Sequence, residues 1–128
     1  MPTPTIEKRL EKRLILMTTN SEFAAQIERL CAEKGWIVVQ TRDLSSIGEW
    51  NEVLLHRILL MDLEEFEAFD PIDVIREIRM QMQINIPVLC FGGDKFLQDE
   101  MRLARADRFF SQQELLSKLP LFLEQYNW

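Results

Sequence analysis

The chain has 128 residues, of which 47% are hydrophobic and 28% charged, with a formal net charge of −6. At about 150 residues per domain this is one ordinary core, which excludes a large multi-domain enzyme. The acidic balance, 21 Asp plus Glu against 15 Lys plus Arg, argues against nucleic acid as a direct partner, because phosphate contacts need a concentrated basic face. Cys31 and Cys90 stand far apart in apolar sequence, which fits two buried, reduced thiols better than a disulfide or a zinc site. No apolar run approaches the roughly 20 residues that span a bilayer. The start MPTPTIEKRLEKR lacks the apolar segment of a secretory signal. The expected location is therefore the cytoplasm, without a membrane partner.

Residues 1–12 read as a polar extension and 13–128 as the folded domain. Leu14-Ile15-Leu16-Met17 is a continuous apolar run, the pattern of a strand buried on both faces. Behind an Asn20 or Ser21 cap, Phe23, Ile27, Leu30 and Cys31 recur at helical spacing, and Gly35 marks the stop, predicting a helix over 22–34. Trp36-Ile37-Val38-Val39 predicts a second strand. Ile47, Trp50, Val53, Leu54 and Arg57 predict a second helix capped near Ser45 or Ser46. Ile58-Leu59-Leu60-Met61, ended by Asp62, predicts a third strand.

Asp70-Pro71 opens a third helix carrying Ile72, Ile75, Ile78, Arg79 and Met82. Pro87 introduces a fourth strand, Val88–Phe91, broken by Gly92-Gly93. Phe96, Met101 and Leu103 mark a weaker fourth helix, Ala106 to Phe110 a fifth strand, and Leu115 to Tyr126 a last helix that Pro120 should kink or begin. Continuous apolar strands alternating with helices predict an α/β fold: a doubly wound, five-stranded parallel sheet of flavodoxin-like order 2-1-3-4-5 with five helices. Ligand chemistry in such sheets lies at the carboxyl ends of the strands, where Asp62 is the most informative residue, expected at the mouth of the central sheet within reach of solvent.

The order of elements, together with ILLMDLEEFEAFDPIDVIREIR, then INIPVLCFGG, then RADRFF, resembles the receiver domain of bacterial response regulators over about residues 13–126. The resemblance implies a CheY-like fold, a phosphoacceptor role for Asp62, and signalling within a histidine-kinase phosphorelay. Thr18 and Thr19 stand where the family has its magnesium-binding acidic pair. Gly92 stands at the switch hydroxyl, Phe109 at the aromatic switch position, and Gln112 and Gln113 at the lysine and the proline after the fifth strand. Each departure removes a function. Magnesium prefers carboxylate oxygens, so Asp62 with two hydroxyls would hold it weakly. Without an ammonium, a phosphoryl group at Asp62 would have no partner for its charge. The sequence therefore reads as a pseudo-receiver with no cofactor and no catalytic residue, acting through a protein partner or self-association.

By analogy with receiver folds, the partner face includes Lys95, Phe96, Asp99, Arg102, Arg108, Phe110 and Gln113. Two other readings stand beside it: a working phosphoacceptor modified on Asp62 with Thr18, Thr19 or Asn20 as atypical magnesium ligands, and a flavin- or nucleotide-binding protein using the Thr18–Ser21 loop. His56, the only histidine, is expected as a solvated helix-end residue rather than a relay histidine. Glu64, Glu65, Glu67, Asp70 and Asp73 are expected on a solvated, helix-capping face, and Met80 and Met82 mostly in the core. The chain fits a free-standing protein or the amino-terminal part of a longer regulator.

Overall fold

In the computed structural model, residues 11–64 and 68–125 are described. The expected extension 1–12 falls largely outside them, as do Glu65, Glu67, Tyr126 and Trp128. Five parallel strands form one sheet in the order β2-β1-β3-β4-β5: β1 is Arg13–Met17, β2 Ile37–Gln40, β3 Ile58–Asp62, β4 Val88–Phe91 and β5 Arg108–Phe110. The three central strands are buried almost throughout, which is why their sequences are unbroken apolar runs. β2 and β5 lie at the edges, and Ile37 in β2 is exposed.

The period of two along each strand divides the core into two layers. Leu14, Leu16, Ile58, Leu60, Leu89 and Phe91 face α1 (Ser21–Glu33) and α5 (Gln112–Gln125), meeting Phe23, Ile27, Leu115, Leu119 and Leu123. Ile15, Met17, Leu59, Met61, Val88 and Cys90 face the other side, where α2 (Trp50–Val53), α3 (Pro71–Arg76) and α4 (Lys95–Leu103) supply Val53, Ile75 and Met101. Fully burying each Leu, Ile or Val contributes about 1.5–3 kcal/mol, so the two layers dominate stability.

The helix caps follow the sequence closely. Asn20 accepts from the Phe23 amide at 3.1 Å and starts α1, and Gly35 (φ 77°) ends it in a conformation costly for other residues. Asp70 accepts from the Ile72 amide at 3.0 Å, with Pro71 in the first turn of α3. The second helix differs from expectation. Asp43, not Ser45 or Ser46, caps a 3₁₀ turn at Leu44–Ser46, and Gly48 (φ 134°) breaks the chain before a single α turn at Trp50–Val53. Trp50 is consequently exposed instead of lining a helical core face. Past Arg76 the third helix widens to π spacing over Glu77–Gln81, which leaves Met80 on the surface rather than in the core. In α4 Met101 is fully buried and Leu97 packs partly buried against the same layer, with Phe96 and Leu103 exposed. Pro120 is accommodated inside α5.

Candidate functional site

The pairing of β1 with β3 sets Leu14 beside Ile58, Leu16 beside Leu60 and Met17 beside Met61, a constant offset of 44 residues. One step further along both strands, the same offset and parity bring Thr18 and Asp62 together. The Thr18 hydroxyl donates to Asp62 Oδ2 at 2.7 Å, and the Glu64 amide donates to Asp62 Oδ1 at 2.9 Å. Thr18 Oγ1 also accepts from the Asn20 amide at 3.1 Å, joining the site to the start of α1. Asp62 is 2% exposed, so the expectation that it reaches solvent is corrected: its carboxylate turns into the gap between two strand ends and is covered there.

A resident magnesium ion, implied by the family resemblance, would need lone pairs on Asp62 and further carboxylate donors. The Thr18 hydroxyl already occupies Oδ2. Among the described residues no three His, Cys, Asp or Glu side chains converge to hold a metal. The donor set does not fit the ion. The two clefts at the strand ends carry little positive charge for an incoming anion. One, of about 360 Å³, is lined by Thr18, Thr19, Gln40, Thr41 and Arg42, and the other, of about 320 Å³, by Gly92, Gly93, Gln98, Phe109, Phe110, Ser111 and Glu114. After β5 the strand ends at Phe110, Ser111 follows, and Gln112, expected at the lysine position, is the first residue of α5. Ser111 and Glu114 form a reciprocal cap, the Ser111 amide donating to Glu114 Oε1 at 2.8 Å and the Glu114 amide to Ser111 Oγ at 3.1 Å. Those bonds lower the Glu114 carboxyl below its ordinary pKa.

Gly92 and Gly93 both have positive φ, 76° and 79°, so the residue at the switch position is a backbone turn. The Gly93 amide donates to a Glu64 carboxylate oxygen. Phe109 lies half-buried beneath the Arg102 guanidinium, 4.6 Å from its ring centroid.

No protein-family model matches the chain, and no curated protein matches it significantly. Solved structures do. A response-regulator signal receiver domain from Bermanella marisrubri superposes with a TM-score of 0.68 at 25% identity, covering 85% of this chain and 95% of that one. An orphan response regulator of H. pylori superposes at 0.65 with 16% identity, covering 91% and 97%. The receiver domain of a sensor histidine kinase from Pseudomonas aeruginosa, which has magnesium coordinated in its active-site cleft, gives 0.68 with 16% identity, covering 91% and 97%. The chain has the receiver-domain fold. Within it, Asp62 ends the central strand β3 at the carboxyl edge of the sheet, and α4 with β5 forms one flank.

Several expected residues behave differently in this receiver fold. His56 is corrected from a solvated residue to a buried one, 5% exposed, because the short α2 drops it against the start of β3. Its Nδ1 lies 3.1 Å from the Glu52 carbonyl and 3.3 Å from that of Val53, so Nδ1 carries the proton, and burial lowers its pKa below the ordinary value. On the partner face, Phe96 is 73% exposed and Arg102 pairs with Asp99 at 3.0 Å. Phe110 is corrected: at 8% exposure it packs into the α1–α5 layer and against Phe122, unable to meet a partner. The Thr18–Ser21 loop spends Thr18 on Asp62 and Asn20 on capping α1. Of the acidic cluster, Glu64 is exposed, as expected, while its carboxylate accepts the Gly93 amide, and Asp70 caps α3.

Arg79 escaped sequence reasoning as a site. Its buried guanidinium donates to the carbonyls of Arg105, Ile84 and Ile86 at 3.1, 3.1 and 2.9 Å and to Asp107 at 2.9 Å. A basic residue on the apolar stripe of the third helix was the available signal.

Proposed function

We propose that this chain is a signalling receiver-like domain that works by docking to a protein partner, or to a second copy, without phosphorylation of Asp62 and without catalysing a reaction. The observation that supports this reading is the engagement of both Asp62 oxygens, one by the Thr18 hydroxyl and one by the Glu64 amide, in a residue almost closed to solvent. To accept a phosphoryl group, a carboxylate oxygen must be free to approach phosphorus in line with the leaving group, with cations nearby to hold the developing charge. Asp62 has its oxygens tied, and the flanking clefts offer neutral or acidic side chains apart from Arg42. The docking surface we assign is the outer side of α4, with Phe96, Asp99 and Arg102, in a cytoplasmic signalling pathway.

The decisive experiment is intact-mass measurement after incubation with an acyl phosphate donor and magnesium. The expected spectrum shows no added phosphate. A phosphate adduct that disappears in Asp62→Asn overturns the reading in favour of a histidine-kinase phosphoacceptor. For the surface, a pull-down comparing wild type with Phe96→Glu/Arg102→Glu is expected to lose partners. Identical recovery by both proteins rules out the α4 face.

A further inference from the structure

The loop after β3 and the loop after β4 are tied together by a side chain that the receiver resemblance does not use. The Glu64 amide holds Asp62 Oδ1, and the Glu64 carboxylate, reaching across the strand ends, accepts the Gly93 amide. A carboxylate on a backbone N–H is a charge-assisted bond, stronger than its neutral counterpart. Glycine at 92 is required by this crossing as well as by its φ of 76°. A Cβ there would lie 2.8 Å from Glu64 Cγ and 2.9 Å from Glu64 Oε2. The side chain missing at the switch position and the carboxylate of Glu64 compete for one space.

From Gly93 the connection runs into α4. Gln98 Nε2 donates to the Gly92 carbonyl at 3.1 Å and lies 3.4 Å from that of Gly93, and Asp94 caps the helix through the Leu97 amide at 2.8 Å. The Gly92 amide is meanwhile held by the Phe110 carbonyl at 3.0 Å. The start of α4, which carries the exposed Phe96, therefore hangs on a loop whose position is set from one side by β5 and from the other by Glu64.

Resting on the reading that Asp62 stays unmodified, we propose that Glu64 is a built-in latch: its carboxylate holds the Gly92–Gly93 loop, and with it the start of α4, in one conformation without covalent modification. The latch is reversible in principle, because Glu64 is an exposed side chain whose release costs no core packing. A partner that pulled Glu64 away, for example through its own guanidinium, would free the loop and loosen α4.

Amide hydrogen exchange resolved at Gly93 tests this, since exchange at a loop amide held by one bond reports the opening of that bond. In Glu64→Ala the Gly93 amide is expected to exchange roughly tenfold faster than in wild type, with the β1 and β3 amides unchanged. Glu64→Gln, which keeps the side chain's length and an acceptor oxygen but not the charge, is expected to give a Gly93 rate between those of wild type and Glu64→Ala. Unchanged Gly93 exchange in Glu64→Ala overturns the latch. Phosphate on wild-type Asp62 in the intact-mass experiment would instead sink the phosphorylation-independent reading, so the two failures are distinguishable.

Discussion

Asp62 and Arg79 are buried ionisable side chains at opposite ends of the same sheet, and they are held in different ways. Arg79, beyond the amino ends of β4 and β5, is satisfied mainly by backbone: three carbonyls plus Asp107, whose Oδ2 also accepts the Val88 amide at 2.7 Å. Burial lowers its pKa and the Asp107 carboxylate raises it. It binds the segments leading into both strands to the third helix, and each partner is fixed by the fold. Asp62, beyond the carboxyl ends, has the Thr18 hydroxyl and the Glu64 loop amide among its partners, and the next link outward is the exposed Glu64 side chain. One end is a clamp made of backbone acceptors. The other is a chain of replaceable side chains leading to α4.

The sharpest way to break the comparison is to remove the clamp. Arg79→Met is expected to cost about 3–5 kcal/mol in urea unfolding, because it strands the Ile84 and Ile86 carbonyls and takes the counterion from Asp107. A loss below about 1 kcal/mol would show that water takes over those carbonyls and that the two ends are alike. Thr18→Val, nearly isosteric, should cost less, about 1–3 kcal/mol, by withdrawing the donor from Asp62 Oδ2. Combined with Asp62→Asn, it should show a coupling of roughly 0.5–3 kcal/mol, and additive effects would mean that the 2.7 Å contact carries no energy.

His56 supplies a third buried ionisable group, one with only backbone acceptors at Nδ1. Burial is the largest cause of its lowered pKa, and Arg13 adds to it, so the unfolded chain takes up a proton that the folded one resists. Above about pH 6.5 both states are neutral and the group is silent. As pH falls below that value, stability should decline toward the folded-state pKa. His56→Asn should flatten this part of the profile by urea titration. A wild-type profile no steeper than the variant's would show that the ring protonates in place. The smallest effect is expected on the outer surface, where Leu103→Glu should change stability by no more than about 0.5 kcal/mol. A larger loss would place Leu103 in packing that its exposure does not suggest.

Much of this arrangement was legible in the residues. The runs at β1, β3 and β4 announced a doubly covered sheet, and Asn20, Gly35 and Asp70-Pro71 marked helix ends by local backbone chemistry. The second helix is shorter than its apolar spacing suggests, because Gly48 interrupts the backbone. The side to which Phe110 turns depends on the parity of β5, which carries it into the α1–α5 layer instead of outward. The Glu64 side chain is exposed, as its sequence suggests, but its bond to Gly93, 29 residues away, leaves no local pattern.

By itself the sequence determined the class of fold, the strand cores, most helix boundaries and the location of Asp62 at a strand end, since each depends on periodicity or on interactions within a few residues. The closing of Asp62 by Thr18, the crossing of Glu64 to Gly93, the burial of His56 and the Arg79 clamp were decided only by tertiary structure. Their partners meet through strand register, loop paths and crossover geometry, which place residues far apart in the chain within hydrogen-bond reach and leave little trace in local pattern.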